Sequence, residues 1–119
     1  MVVVTRPQNN HRQDEEARKL FDSLNFKVRD FSKAVSLKKD LEDAYLNRGN
    51  TFMKIGRFEE ATKDYDVAIS YYPDFAMAFY NRGIANHNLG NNTQACDDIK
   101  KSLELGFKQA EDTLMKMCK

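Results

Sequence analysis

The sequence predicts an all-α protein, a solenoid of helix-turn-helix hairpins, about three of them, closed by a C-terminal capping helix. Three observations predict it. Gly49 and Gly83 stand 34 residues apart, as do Gly56 and Gly90, so the chain repeats with the length of a two-helix unit. Within each copy the apolar residues recur at i, i+4 and i+7, the spacing of one face of an α-helix. Only five glycines and two prolines occur, too few for a fold built from many tight β-turns.

Sliding the chain by 34 superposes Ala44, Asn47, Arg48, Gly49, Gly56, Ala61 and Asp64 on Ala78, Asn81, Arg82, Gly83, Gly90, Ala95 and Asp98 without a gap. The same offset backwards places Asp30, Phe31, Ala34, Val35 and Ser36 on Asp64, Tyr65, Ala68, Ile69 and Ser70, which marks a third, more worn copy upstream. The units are therefore read as 8–41 (degenerate), 42–75 and 76–109, followed by a capping helix over 110–119, all in a single domain of 119 residues.

In the degenerate unit, Ala17, Leu20, Phe21 and Leu24 keep i, i+3, i+4, i+7 spacing and predict an amphipathic helix. In the next, Tyr45, Gly49, Phe52 and Gly56 share one helical face, and Ala61, Tyr65, Ala68, Ile69 and Tyr72 share another. Gly56 supplies the positive-φ corner that closes the first helix, and Pro73 ends the second by withholding a backbone donor. Asp74 is expected to N-cap the helix that follows, with Asp40 at the same phase one unit earlier. Gly49, Ala61 and Ala68 let two backbones approach while Tyr45, Phe52 and Tyr65 fill the space beside them. Phe79, Gly83 and Ala95 repeat that arrangement, and Ala110, Leu114 and Met117 give the last helix its apolar face.

Residues 42–75 resemble the tetratricopeptide repeat: Gly49, Phe52, Ala61, Tyr65, Ala68 and Pro73 stand at its signature positions, with Tyr45 in place of the usual tryptophan. Residues 76–109 resemble it with lapses, Asn86 standing where an aromatic is usual and Phe107 where proline is. In 8–41, Glu15 and Lys27 replace two of the small packing residues. The strings around "YLNRG" and "FYNRG", and the closing "LELGFKQAEDTLMKMC", are similar to bacterial members whose final repeat runs into a terminal helix.

Nineteen Lys+Arg against eighteen Asp+Glu leave a formal charge of +1, so no strong field favours nucleic acid or an anionic membrane. The run Val2–Val4 is far short of a secretory or spanning segment, and a soluble, cytoplasmic protein is expected. Cys96 and Cys118 are too few for a disulfide framework; each is expected to fill space in a reducing compartment. His11 and His87 have no metal-ligand spacing to Cys, Asp or Glu, and no glycine-rich phosphate loop is present. The sequence thus predicts no catalytic residues, no metal site and no cofactor; an enzyme using Cys96 is a remote third reading.

A second stripe on the first helix of each unit is not needed to pack the hairpin. It carries Met77, Tyr80, Asn81, Ile84, His87 and Asn88 in one unit, and Asp43, Leu46, Asn47, Asn50, Met53 and Lys54 in the other. The resemblance implies that this stripe lines a concave inner surface. The expected peptide-binding groove is then Leu46, Asn47, Asn50, Met53, Met77, Tyr80, Asn81, Ile84 and Asn88. Apolar side chains there offer contact area, and asparagine amides offer a donor and an acceptor to an extended backbone. The competing reading is that Leu46, Tyr80 and Ile84 pack helix on helix. Basic residues that grip a terminal carboxylate in some members are absent at the phase of Leu46 and Tyr80. The function expected is a non-catalytic scaffold for a protein or extended peptide, with no nucleic acid and no membrane partner. The alternative is an architectural spacer or a self-associating, homo-oligomeric module.

Overall fold

The computed structural model describes residues 23–25, 27, 29 and 41–118. The described residues of 23–29 are helical, and the rest of the 8–41 unit, with Asp40 and His11, lies outside the described residues. Five helices follow: α1 (Leu41–Lys54), α2 (Phe58–Tyr71), α3 (Ala76–Asn88), α4 (Asn92–Glu104) and α5 (Gln109–Met117). Among the described residues there is no strand. Each helix packs on the next, α1 on α2 through to α4 on α5, and α1 also reaches α3. That is an all-α hairpin solenoid.

The turns explain why the hairpins close where they do. At the end of α1, Gly56 takes φ +80, its N–H bonds the Met53 carbonyl at 3.1 Å, and the Arg57 N–H reaches back to Phe52 at 2.9 Å. This pair of bonds satisfies carbonyls the helix would otherwise leave orphaned. Gly90 and Gly106 do the same for α3 and α4, with Asn91 N–H to Asn86 O at 2.8 Å and Phe107 N–H to Ser102 O at 3.0 Å. α2 stops at Tyr71, just ahead of Pro73. Asp74, however, is not the N-cap of α3: Phe75 occupies that position and no side chain caps it. The Phe75 N–H closes on Tyr72 O at 3.1 Å, so Pro73 and Asp74 are the central residues of a turn, one step too early to cap.

Small residues set the distance between paired helices. A Cβ on Gly49 would lie 2.7 Å from the Tyr65 ring, and one on Gly83 would lie 2.7 Å from Ile99 Cδ1 and 3.0 Å from the Ala95 carbonyl. Ala61, Tyr65, Ala68, Ala78, Ala85, Ala95, Ile99 and Ala110 are fully buried. Each hairpin is also clamped by a bidentate ion pair. Arg48 donates from Nε and Nη2 to Asp64 at 2.8 and 2.7 Å, and Arg82 donates likewise to Asp98 at 2.9 and 2.8 Å. The planar guanidinium matches the carboxylate fork, so each pair fixes orientation as well as distance.

The cysteines are not two separate space-fillers. Cys96 on α4 and Cys118 just after α5 form a disulfide with their Cα atoms 5.8 Å apart. The expectation of two free thiols fails because α5 folds back along α4, which closes a sequence separation of 22 residues.

Candidate functional site

The first helices of the two hairpins, α1 and α3, meet through a polar bridge. Asn81 donates from Nδ2 to Asn50 Oδ1 at 2.8 Å, and the buried Tyr65 hydroxyl donates to the same oxygen at 2.5 Å. Burial pushes the Tyr65 phenol well above its ordinary range, so it stays a neutral donor. Asn50 thereby joins α1, α2 and α3 at one point.

Around that bridge the nine residues of the expected groove separate into three groups. Asn47, one turn before Asn50, is exposed, and its carbonyl accepts the Thr51 hydroxyl at 3.0 Å. Met77, one turn before Asn81, is 44% exposed. Asn88 is exposed and bonds back to the Ile84 carbonyl at 2.9 Å, with Ile84 itself half-buried. These residues face solvent from α1 and α3. Asn50 and Asn81 are committed to each other, which leaves both N–H groups of the Asn50 amide, the second N–H of Asn81 and the Asn81 side-chain carbonyl for a further partner.

Leu46 belongs to the third group: it is 6% exposed and sits in the core with Phe52, Tyr65 and Ala78, so at this position helix packing displaces the groove reading. Met53 packs against the same core from its edge. Tyr80 is covered by the chain's own C-terminal part. Its ring lies 4.8 Å from that of Phe107, and its hydroxyl shares a 2.8 Å hydrogen bond with Thr113 of α5. A large side chain at this phase reaches the next first helix instead of standing free.

The Arg48–Asp64 and Arg82–Asp98 clamps were visible as coincidences at the 34-residue offset, but nothing in the sequence says that they pair. Hydrogen bonding to Asp98, and then to Asp66, raises the Arg82 guanidinium pKa further above its ordinary value. Arg82 Nη1 donates to Asp66 at 2.8 Å, so this one side chain ties α3 to both α2 and α4. It forms part of the lining of a concavity of about 560 Å³, with Lys63, Asp97 and Asn86 also on its walls. There the arginine is already neutralised by two carboxylates, which leaves it no charge to offer an anion. Among the described residues no group of three or more His, Cys, Asp or Glu is placed to hold a metal ion, and no helix is long and apolar enough to cross a membrane.

Two family models match: "TPR repeat" over residues 49–90 and "Tetratricopeptide repeat" over 76–105. Among solved structures, the Arabidopsis OM64 TPR domain superposes with a TM-score of 0.76 at 23% identity, covering 87% of each chain. The second TPR domain of human RPAP3, in complex with the HSP70 peptide SGPTIEEVD, gives 0.75 at 27% identity over 89% of this chain and 92% of that one. The first TPR of Spaghetti (RPAP3), bound to the HSP90 peptide SRMEEVD, gives 0.75 at 21% identity over 87% and 85%. No curated protein matches the sequence.

Proposed function

The chain belongs to the tetratricopeptide repeat family, and from that premise we propose that it is a non-catalytic scaffold whose α1–α3 face holds an extended segment of another protein. The observation that carries the reading is the solvent-facing set Asn47, Met77 and Asn88 grouped around the Asn50–Asn81 bridge. None of the three is needed to close a hairpin. An extended backbone laid across them finds amide donors and acceptors and a methionine that adapts to side chains of different shape. The peptide complexes of the two RPAP3 domains support a polypeptide ligand. Their peptides end in an acidic EEVD sequence, whereas the stripe around the bridge here presents amides with one carboxylate, Asp43, and one ammonium, Lys54. An internal segment of mixed polar and apolar character suits this face better than an acidic terminus.

The test is site-specific photocrosslinking in the native host, with a benzophenone side chain at position 47 or 77 and, for comparison, at exposed Lys63 in the concavity beside Arg82. Adducts to a polypeptide at 47 and 77 that are lost with Asn88→Arg support the reading. Equal labelling from position 63, or none from 47 and 77, overturns it.

A further inference from the structure

We propose that the Cys96–Cys118 disulfide is a redox latch that holds α5 as the third rung of the α1–α3 face. By sequence offset, Leu114 stands 34 residues after Tyr80, and Met115 stands 34 after Asn81 and 68 after Asn47. The Tyr80–Thr113 bond links α3 to α5 much as the Asn50–Asn81 bond links α1 to α3. Met115 is 68% exposed, so the docked helix carries the solvent-facing stripe one unit further.

The helix is poorly held without its covalent link. It has nine residues, shorter than a helix that is stable alone in water, and Ala110 is its only buried residue. Its single ion pair, Lys116–Asp112 at 3.7 Å, is fully solvated and contributes little. Ala110 and the Tyr80–Thr113 bond anchor its first half, and Cys118 anchors its end. Cutting the disulfide leaves the second half to fray.

The chemistry is thiol–disulfide exchange with a dithiol. A reductant thiolate attacks one sulfur, the Cys96–Cys118 bond breaks, and the departing sulfur keeps the electron pair and takes a proton. The reductant's second thiol then closes on the mixed disulfide, which frees the other cysteine as a thiol and leaves the reductant as a cyclic disulfide.

The test is hydrogen exchange by mass spectrometry on the whole chain, air-oxidised and then in dithiothreitol, with iodoacetamide counting free thiols in each state. The oxidised protein is expected to take no label and the reduced protein two. On reduction, exchange over 109–118 should accelerate on the order of tenfold to a hundredfold while 58–104 is unchanged. The Cys96→Ser/Cys118→Ser variant should match the reduced protein and ignore reductant. Two labels on the oxidised protein, or equal protection of 109–118 in both states, overturns the latch. This readout needs no partner, so it succeeds or fails independently of the binding reading.

Discussion

The two hairpins are the same object built from different side chains. In the first, α1 and α2 enclose Phe52, buried at 7%, and Tyr65, fully buried with its hydroxyl on Asn50. In the second, the 34-residue equivalents are Asn86, buried at 8%, and Ile99, with Ile84 at the phase of Asn50. Polar and apolar have changed places: where the first hairpin has an aromatic face and a polar tyrosine contact, the second has a buried amide and an aliphatic one. Asn86 survives burial because its Nδ2 reaches Asp98 at 3.3 Å and its Oδ1 receives Asn91 at 3.4 Å. What both hairpins keep is the glycine at the crossing, the Arg–Asp clamp and the glycine-closed turn. Those features set the backbone, and the remaining core positions need only be filled and satisfied.

The sharpest way to break that comparison is to exchange the fillings. Phe52→Asn removes a buried ring and inserts an amide with no counterpart of Asn91 beside it, because Arg57 occupies that phase over the Phe52 ring. Chemical denaturation should show a loss of about 3–4 kcal/mol. Asn86→Ala removes two long hydrogen bonds and leaves part of Asp98 unsolvated, for about 1–2 kcal/mol. Equal losses would mean that the ring and the hydrogen-bonded amide hold their hairpins alike, so that the difference in filling carries no difference in stability.

A smaller effect separates the glycines. The nearest atoms to an alanine at position 49 all belong to the Tyr65 ring, whereas alanine at 83 presses on Ile99 and also on the Ala95 carbonyl, which belongs to the helix backbone and cannot rotate away. Gly83→Ala should cost about 2 kcal/mol and Gly49→Ala nearer 1 kcal/mol by thermal or urea unfolding. The reverse order would show that the buried tyrosine, not the α4 backbone, is the stiffer neighbour.

These contrasts mark what could be read from the sequence and what could not. The 34-residue offset exposes the repeat, and with it the glycine corners at 56 and 90, because a positive φ and a close crossing each demand one residue type. The offset also displays Arg48, Arg82, Asp64 and Asp98, yet pairing depends on how deeply two helices interlock, which no linear pattern states. The same limit governs the α1–α3 face. Asn47, Met77 and Asn88 are solvent-facing, whereas Leu46 and Tyr80 sit at one phase of a stripe that a bulky side chain fills by reaching the next helix. Cys96 and Cys118 look unrelated because their meeting depends on the direction taken by a nine-residue helix.

Within the second hairpin, the clamp itself can be divided. Asp98→Asn takes the charge from a nearly buried carboxylate facing Arg82 and should cost about 1–2 kcal/mol. Asp66 bridges the same arginine from a side chain that is 59% exposed, so Asp66→Asn should cost under about 0.5 kcal/mol and less still in high salt. If the two losses were alike, the added α2–α3 bridge would be as structural as the clamp common to both hairpins.

A last effect, set by pH, belongs to the first hairpin alone, because the second has Ile99 where Tyr65 stands. Burial raises the Tyr65 phenol above its unfolded value near 10, so between those two values the unfolded chain has released a proton that the folded chain still holds. Stability from this group is complete below about pH 10 and is lost as pH climbs through the folded value, at up to about 1.4 kcal/mol per pH unit. Tyr65→Phe removes the hydroxyl and its bond to Asn50, for about 1 kcal/mol at neutral pH. Its stability should fall less steeply above pH 10, so the gap between variant and parent narrows as alkali is added. Parallel curves for the two proteins from pH 9 to about 11 would mean that Tyr65 ionises in place, and that the Asn50 junction joining the three helices is open to water.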